Sequence, residues 1–136
     1  MIGLDTNVLI RFFTQDDPAQ GRAATAFFRS LSSSRPGWVG LATVLEAAWV
    51  MKSVRKMDRE TIASTLSRLL TLESLIIDQP DVLEEALRRY RKTKADFADC
   101  LIAASGRAAG CSKTVTFDQI AARDAGMELL AQTERR

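Results

Sequence analysis

Short apolar runs alternate with longer stretches whose apolar residues recur at helical spacing, and this alternation limits the fold more than any other feature. The runs are Met1–Leu4, Trp38–Leu41, Leu75–Ile77, Thr114–Phe117 and Glu128–Leu130. Between them, Pro18–Leu31 places Ala23, Ala24, Phe27 and Leu31 at helical intervals, with Pro18 suited to a first turn. Val44–Val54 and Arg59–Leu72 predict two further helices, the second with Ile62, Leu66, Leu69 and Leu70 along one face. Asp81–Tyr90 and Phe97–Ala109 complete the set, and Gly110 suits a helix terminator. The segment SSSRPG, Ser32 to Gly37, reads as a turn into a strand and not as a linker. Strands separated by helices predict an α/β fold, a mostly parallel sheet of about five short strands covered by helices on both sides. In such a sheet the strand C-termini and the helix N-termini that follow share one edge, where ligands bind.

The 136 residues suit a single domain, 1–136. No stretch approaches the roughly 18 apolar residues of a membrane span. The first apolar run has no basic leader and is cut short by Asp5, so no signal peptide is expected and a cytoplasmic location is the default. Cys100 and Cys111 lack metal-ligand spacing and are expected to be reduced. More telling is the absence of histidine. It excludes Ser-His-Asp and Cys-His nucleophile systems, HExxH zinc sites and any imidazole acid–base pair. Enzymatic proton chemistry would then rest on carboxylates, lysines, metal-bound water or the substrate. The net charge of +2 implies no partner by itself.

Four acids map to the ligand-binding edge. Asp5 ends the first run, Glu46 lies just inside the helix after the second, Asp99 sits in the first turn of a later helix, and Asp118 closes the fourth run. Each also has a local reading. Thr43 and Glu46 fit a capping box, and Asp96 fits an N-cap with Asp99 in the favourable first turn. Asp118 suits a cap for the short helix 119–123, and Asp5 can bond the amides of Thr6 and Asn7. Gathered together, the acids would need an explanation of a different kind. Two carboxylates about 4 Å apart, at an effective dielectric near 20, repel by about 4 kcal/mol. A cluster of them takes up protons or holds a cation, and an all-oxygen set suits Mg²⁺ or Mn²⁺ over zinc.

The stretches GLDTNVLIRF (Gly3 to Phe12), the helix around Glu46, DFADCLIAA (Asp96 to Ala104) and TFDQIAA (Thr116 to Ala122) resemble the PIN-domain ribonucleases, and among them the VapC-type toxins of bacterial toxin–antitoxin pairs. The resemblance spans nearly the whole chain, in the family's order. It implies a PIN-like three-layer α/β/α fold with a parallel sheet, with Asp5, Glu46, Asp99 and Asp118 as the acidic quartet and as Mg²⁺ or Mn²⁺ ligands. Thr6, Asn7, Asp96 and Thr116 fall at supporting positions, and between Asp96 and Asp99 the resemblance selects Asp99. Cys100 stands where the family more often has alanine. The implied activity is metal-assisted hydrolysis of RNA by water, giving 5′-phosphate ends. The implied partners are RNA, a cognate antitoxin and a second copy of the chain, with no membrane.

The segment ALRRYRKTK (Ala86 to Lys94) packs Arg88, Arg89, Arg91, Lys92 and Lys94 around Tyr90. It reads either as a solvated helix face or as a phosphate track for RNA, with Tyr90 available to stack a base. Trp38 and Trp49 are expected in the core. Adjacent Phe12–Phe13 and Phe27–Phe28 point about 100° apart on a helix, so each pair spans a wide core face or leaves one ring outside it. Rival readings are a PIN nuclease of RNA maturation, a Mg²⁺-binding phosphoacceptor domain without nuclease activity, or a silent binding module. The phosphoacceptor reading wants an acid pair after the first strand, where LDTNV offers Asp5 alone. A DxDxT phosphatase fails for lack of a second aspartate.

Overall fold

The computed structural model describes residues 1–131, which fall into two compact units, the first Met1–Pro80 and the second starting at Asp81. The first holds β1 (Ile2–Gly3), α1 (Thr6–Thr14), α2 (Pro18–Ser30), β2 (Gly37–Val39), α3 (Leu41–Trp49), α4 (Arg59–Leu69) and β3 (Leu75–Ile77). A π-helical turn, Val50–Val54, continues α3 without a break. The second unit holds α5 (from Pro80 to Lys92), α6 (Phe97–Ala108), β4 (Val115–Thr116), α7 (Gln119–Asp124) and β5 (Glu128–Leu129).

In the first unit the strands lie in the order β1-β2-β3, all parallel, with Ile2 opposite Gly37 and Gly37 opposite Leu75. Gly37 is at the centre for a steric reason. A Cβ there would stand 2.7 Å from Leu4 Cδ1 and 2.9 Å from Leu75 Cδ2. The second unit pairs β4 with β5, also in parallel. All the strands expected from the sequence are therefore present, divided between a three-stranded and a two-stranded sheet. Strands of two or three residues contribute few ladder bonds each, so helices carry most of the packing.

The core of the first unit is aliphatic, with Leu9, Val39, Val44, Met51, Ile62, Leu66 and Leu69 almost wholly buried. Each such side chain contributes about 1.5–3 kcal/mol through burial. Phe28 completes it, stacking on Phe12 at 3.9 Å between ring centres, with Phe13 and Phe27 half-buried and edge-on to them. Both aromatic pairs thus span a wide face. In the second unit Leu83, Ala86, Tyr90, Phe97, Cys100 and Ala104 form the core. Among the described residues neither cysteine is in a disulfide, Cys100 being buried and Cys111 exposed.

Three expectations need correction. Trp38 and Trp49 are not core residues, being 37% and 61% exposed. Trp38 points away from the buried face of β2 and its ring lies over Gly40. Helix α1 is an element that the apolar run Val8–Ile10 does not announce. The helix expected from Val44 starts at Leu41, because Gly40 ends β2 and serves as its N-cap. No helix among the described residues is long and apolar enough to cross a membrane.

Candidate functional site

Asp5 leaves the C-terminal end of β1 in an extended conformation and becomes the N-cap of α1. Its Oδ1 accepts the Thr6 N–H, the first amide of the helix, at 2.8 Å. The second oxygen, Oδ2, makes no hydrogen bond among the described residues. Thr6 itself is buried, whereas Asn7 is exposed and lines a groove of about 470 Å³ with Ile2, Val8, Arg11 and Phe27.

Glu46 stands in the middle of α3 and is exposed. The capping-box reading fails here. Thr43 is the third residue of the helix, not its cap, and the cap residue is a glycine with no side chain to bond. The Glu46 carboxylate makes no hydrogen bond or ion pair among the described residues. Parallel β1 and β2 put Asp5 and the start of α3 on one sheet edge, and α1 packs on α3. A helical side chain leans toward the N-terminus, so Glu46 leans toward that edge.

In the second unit Asp96 is the N-cap of α6 without a side-chain capping bond, and Asp99 lies in the first turn, half-buried. Asp118 follows β4 and caps α7, its Oδ1 accepting the Ala121 N–H at 2.8 Å. Its own N–H donates to Thr116 Oγ1 at 3.0 Å, so Thr116 supports Asp118 through the backbone. The reading of Asp118 as a cap holds; of the two amide bonds expected of Asp5, the one to Thr6 is made and none to Asn7 is found among the described residues, and each acid uses one carboxylate oxygen.

The acids of the quartet are thus placed two in each unit, Asp5 and Glu46 in the first and Asp99 and Asp118 in the second. Among the described residues, no three acidic or cysteine side chains gather into a group that could hold a metal ion. By donor chemistry the residues suit a hard cation, since every candidate ligand is a carboxylate and the chain has no histidine.

The cationic segment lies on α5, and one part of its reading is corrected. Tyr90 is 4% exposed and packs edge-on against Phe97, with ring centres 5.6 Å apart. It shares the apolar face of Val82, Leu83, Ala86 and Leu87, and a ring held there cannot stack on a base. Arg88, Arg91, Lys92 and Lys94 are exposed and Arg89 is half-buried. Lys94 lies beside Asp124, whose carboxyl is held below the usual carboxylate range first by its bond with Arg123 and then in part by Lys94. The sequence reading missed Gly126, whose lack of a side chain makes room for the Arg89 guanidinium. A glycine before a strand was the available signal.

Comparison with known proteins places these residues in a family context. A family model described as the PIN domain matches residues 2–126, a span that includes Asp5, Glu46, Asp99 and Asp118. The chain is also 25% identical over 115 residues to a VapC ribonuclease of Aquifex aeolicus (strain VF5), covering 84% of each chain.

Proposed function

Because the chain belongs to the PIN-domain family, we propose that it is a metal-dependent endoribonuclease and the toxin of a toxin–antitoxin pair. The observation that carries this reading is the extent of the family match, which takes in all four acids, together with the similarity to a VapC ribonuclease. In this reading Asp5 and Asp99 are the principal ligands of Mg²⁺ or Mn²⁺, and Glu46 and Asp118 complete the set. When bound, such a cation would screen phosphate charge and lower the pKa of a coordinated water below that of bulk water.

The chain's own residues prepare the carboxylates. The Thr6 amide fixes Asp5 through Oδ1 and leaves Oδ2 for a ligand. Thr116 and the Ala121 amide hold Asp118 in the same manner. Glu46, not engaged in capping, keeps both oxygens. With no imidazole in the chain, no histidine base takes part. Water, not the ribose 2′-hydroxyl, is the nucleophile, so the products carry 5′-phosphate ends. Apolar side chains left at the surface, Trp49 and Val54 in the first unit and Phe117 and Ile120 in the second, support protein partners. A cognate antitoxin and a second copy of the chain are the partners proposed.

End-mapped cleavage of total cellular RNA, with and without Mg²⁺, tests the reading. Wild type should cut only with the metal, leave 5′-phosphates and arrest growth when expressed alone. Asp5→Asn and Asp99→Asn should reduce both cleavage and growth arrest to background. Full activity in both variants would overturn the assignment.

A further inference from the structure

On α5 the positions 85, 88, 89 and 92 follow one another at helical spacing and form a single face beside the buried one. Glu85, Arg88, Arg89, Lys92 and Thr93 line a shallow depression of about 340 Å³. Its only carboxylate is already engaged, since Glu85 Oε1 accepts from Arg107 Nε at 2.7 Å. Arg88, Arg89 and Lys92 meet no carboxylate among the described residues. The Thr93 hydroxyl is likewise occupied, donating to the Arg89 carbonyl at 2.9 Å. What remains, among the described residues, is a concave surface where three cations have no carboxylate of their own, Glu85 being taken by Arg107.

Arg89 is held in place. Gly126, at φ +77°, passes so close that a Cβ there would stand 3.1–3.3 Å from the guanidinium atoms. The planar group therefore rests against backbone before β5. The dipole of α5 favours cations in its last turn, which eases their gathering but supplies no anion. Like charges four residues apart on a helix oppose one another, so a bound anion would relieve the repulsion between Arg88 and Lys92.

We infer that this face of α5 is a phosphodiester-binding subsite for single-stranded RNA, made of Arg88, Arg89 and Lys92 and of none of the metal-ligand carboxylates. The inference rests on the ribonuclease reading for the identity of the ligand. Guanidinium groups pair with phosphate oxygens in a fork, and the lysine adds a point charge. Tyr90 takes no part, because it is buried beneath the face. Affinity here comes from charge alone, without base stacking or base readout.

The test is binding of a fluorescent single-stranded RNA of ~12 nucleotides, followed by anisotropy across a salt series in EDTA so that nothing is cleaved. Each phosphate contact of a single strand contributes about 0.7 to the slope of log affinity against log salt. The variant Arg88→Gln/Arg89→Gln/Lys92→Gln should bind at least ~10-fold more weakly at low salt and lose about 2 from the slope. The variant Arg88→Gln/Lys92→Gln, which leaves Arg89 on Gly126, should lose about 1.4 with an unchanged melting temperature. Unchanged slopes in both variants would overturn the subsite. So would displacement of the RNA by inorganic phosphate as readily as by unlabelled oligonucleotide, which would mark a free-phosphate site. RNA that binds wild type with the expected slope yet survives Mg²⁺ would remove the ribonuclease reading and leave the subsite standing. Unchanged slopes alongside Mg²⁺-dependent cleavage would remove the subsite alone.

Discussion

The arginines gathered at Asp16 and Phe13 in the first unit and those of the α5 depression in the second serve different ends. In the first, Arg11 and Arg55 both pair with Asp16, Arg11 also donates to Gln20 at 2.7 Å, and Arg68 lies over the Phe13 ring at 5.0 Å. These cations tie the α1–α2 turn to the end of the π-helical turn, and α4 to α1. In the second unit Arg107 meets Glu85 and Arg123 meets Asp124, but Arg88 and Arg89 meet no carboxylate among the described residues. One acid decides the difference. With Asp16 in reach, arginine acts as a tether; without such a neighbour its charge is open to an outside anion. Counting cations along the sequence does not separate the two uses, because the deciding carboxylate is brought in by the fold.

If that contrast is right, residues that bind and residues that stabilise should respond separately to mutation. The largest separation is expected at Asp5. Asparagine caps a helix about as well as aspartate, so Asp5→Asn should lose cleavage without lowering the melting temperature; a large drop in melting temperature would make Asp5 a structural residue. Tyr90 should show the opposite. Tyr90→Ala should cost about 3–5 kcal/mol, as other large-to-small core changes do, read by chemical denaturation. Tyr90→Leu should leave RNA affinity unchanged, and weaker binding by that variant would return the ring to the RNA surface. A smaller effect is expected at Asp16, where Asp16→Ala should cost roughly 1 kcal/mol, the scale of two partly exposed ion pairs. Its salt slope for RNA should not fall, and a fall would blur the distinction between tether and binding charge.

The smallest effect concerns Asp58, the N-cap of α4, whose carboxyl is held below its ordinary value by its bonds to Thr61. A depressed carboxylate stabilises the fold above its unfolded pKa, and that stabilisation is lost as pH falls through the folded value. Asp58→Asn caps without titrating. The wild type should therefore lose melting temperature relative to the variant on acidification below the carboxylate range, and parallel curves would remove the cap from the acid response.

Much of the fold was legible because apolar spacing reports burial directly. Leu75–Ile77 is the third strand as read, and Phe97–Ala108 is one residue shorter than expected, closed by Gly110 at φ +94°. Misreadings arose where a residue's neighbours in the chain differ from its neighbours in space. Tyr90 lies among cations in the sequence, yet it follows Ala86 by four and Leu87 by three, which puts it on the buried face. Trp38 alternates outward between Gly37 and Val39, and hydrophobicity alone suggested the reverse. For the candidate site, spacing named the acids and could show that Asp118 suits a cap. It could not show that Gly40, and not Thr43, starts α3, and so it could not release Glu46 from a capping role.

The π-helical turn at Val50–Val54 takes one more residue per hydrogen-bonded loop than the α-helix it extends. A single-codon deletion there, for instance of Ser53, should be absorbed by reversion to ordinary α-helix, the Arg55 N–H still meeting the Val50 carbonyl and the residues downstream keeping their phase. The reach of Arg55 to Asp16 should survive that loss, whereas an added residue, with no further slack to absorb it, should swing Arg55 by about 100°, so this segment should tolerate shortening more readily than lengthening.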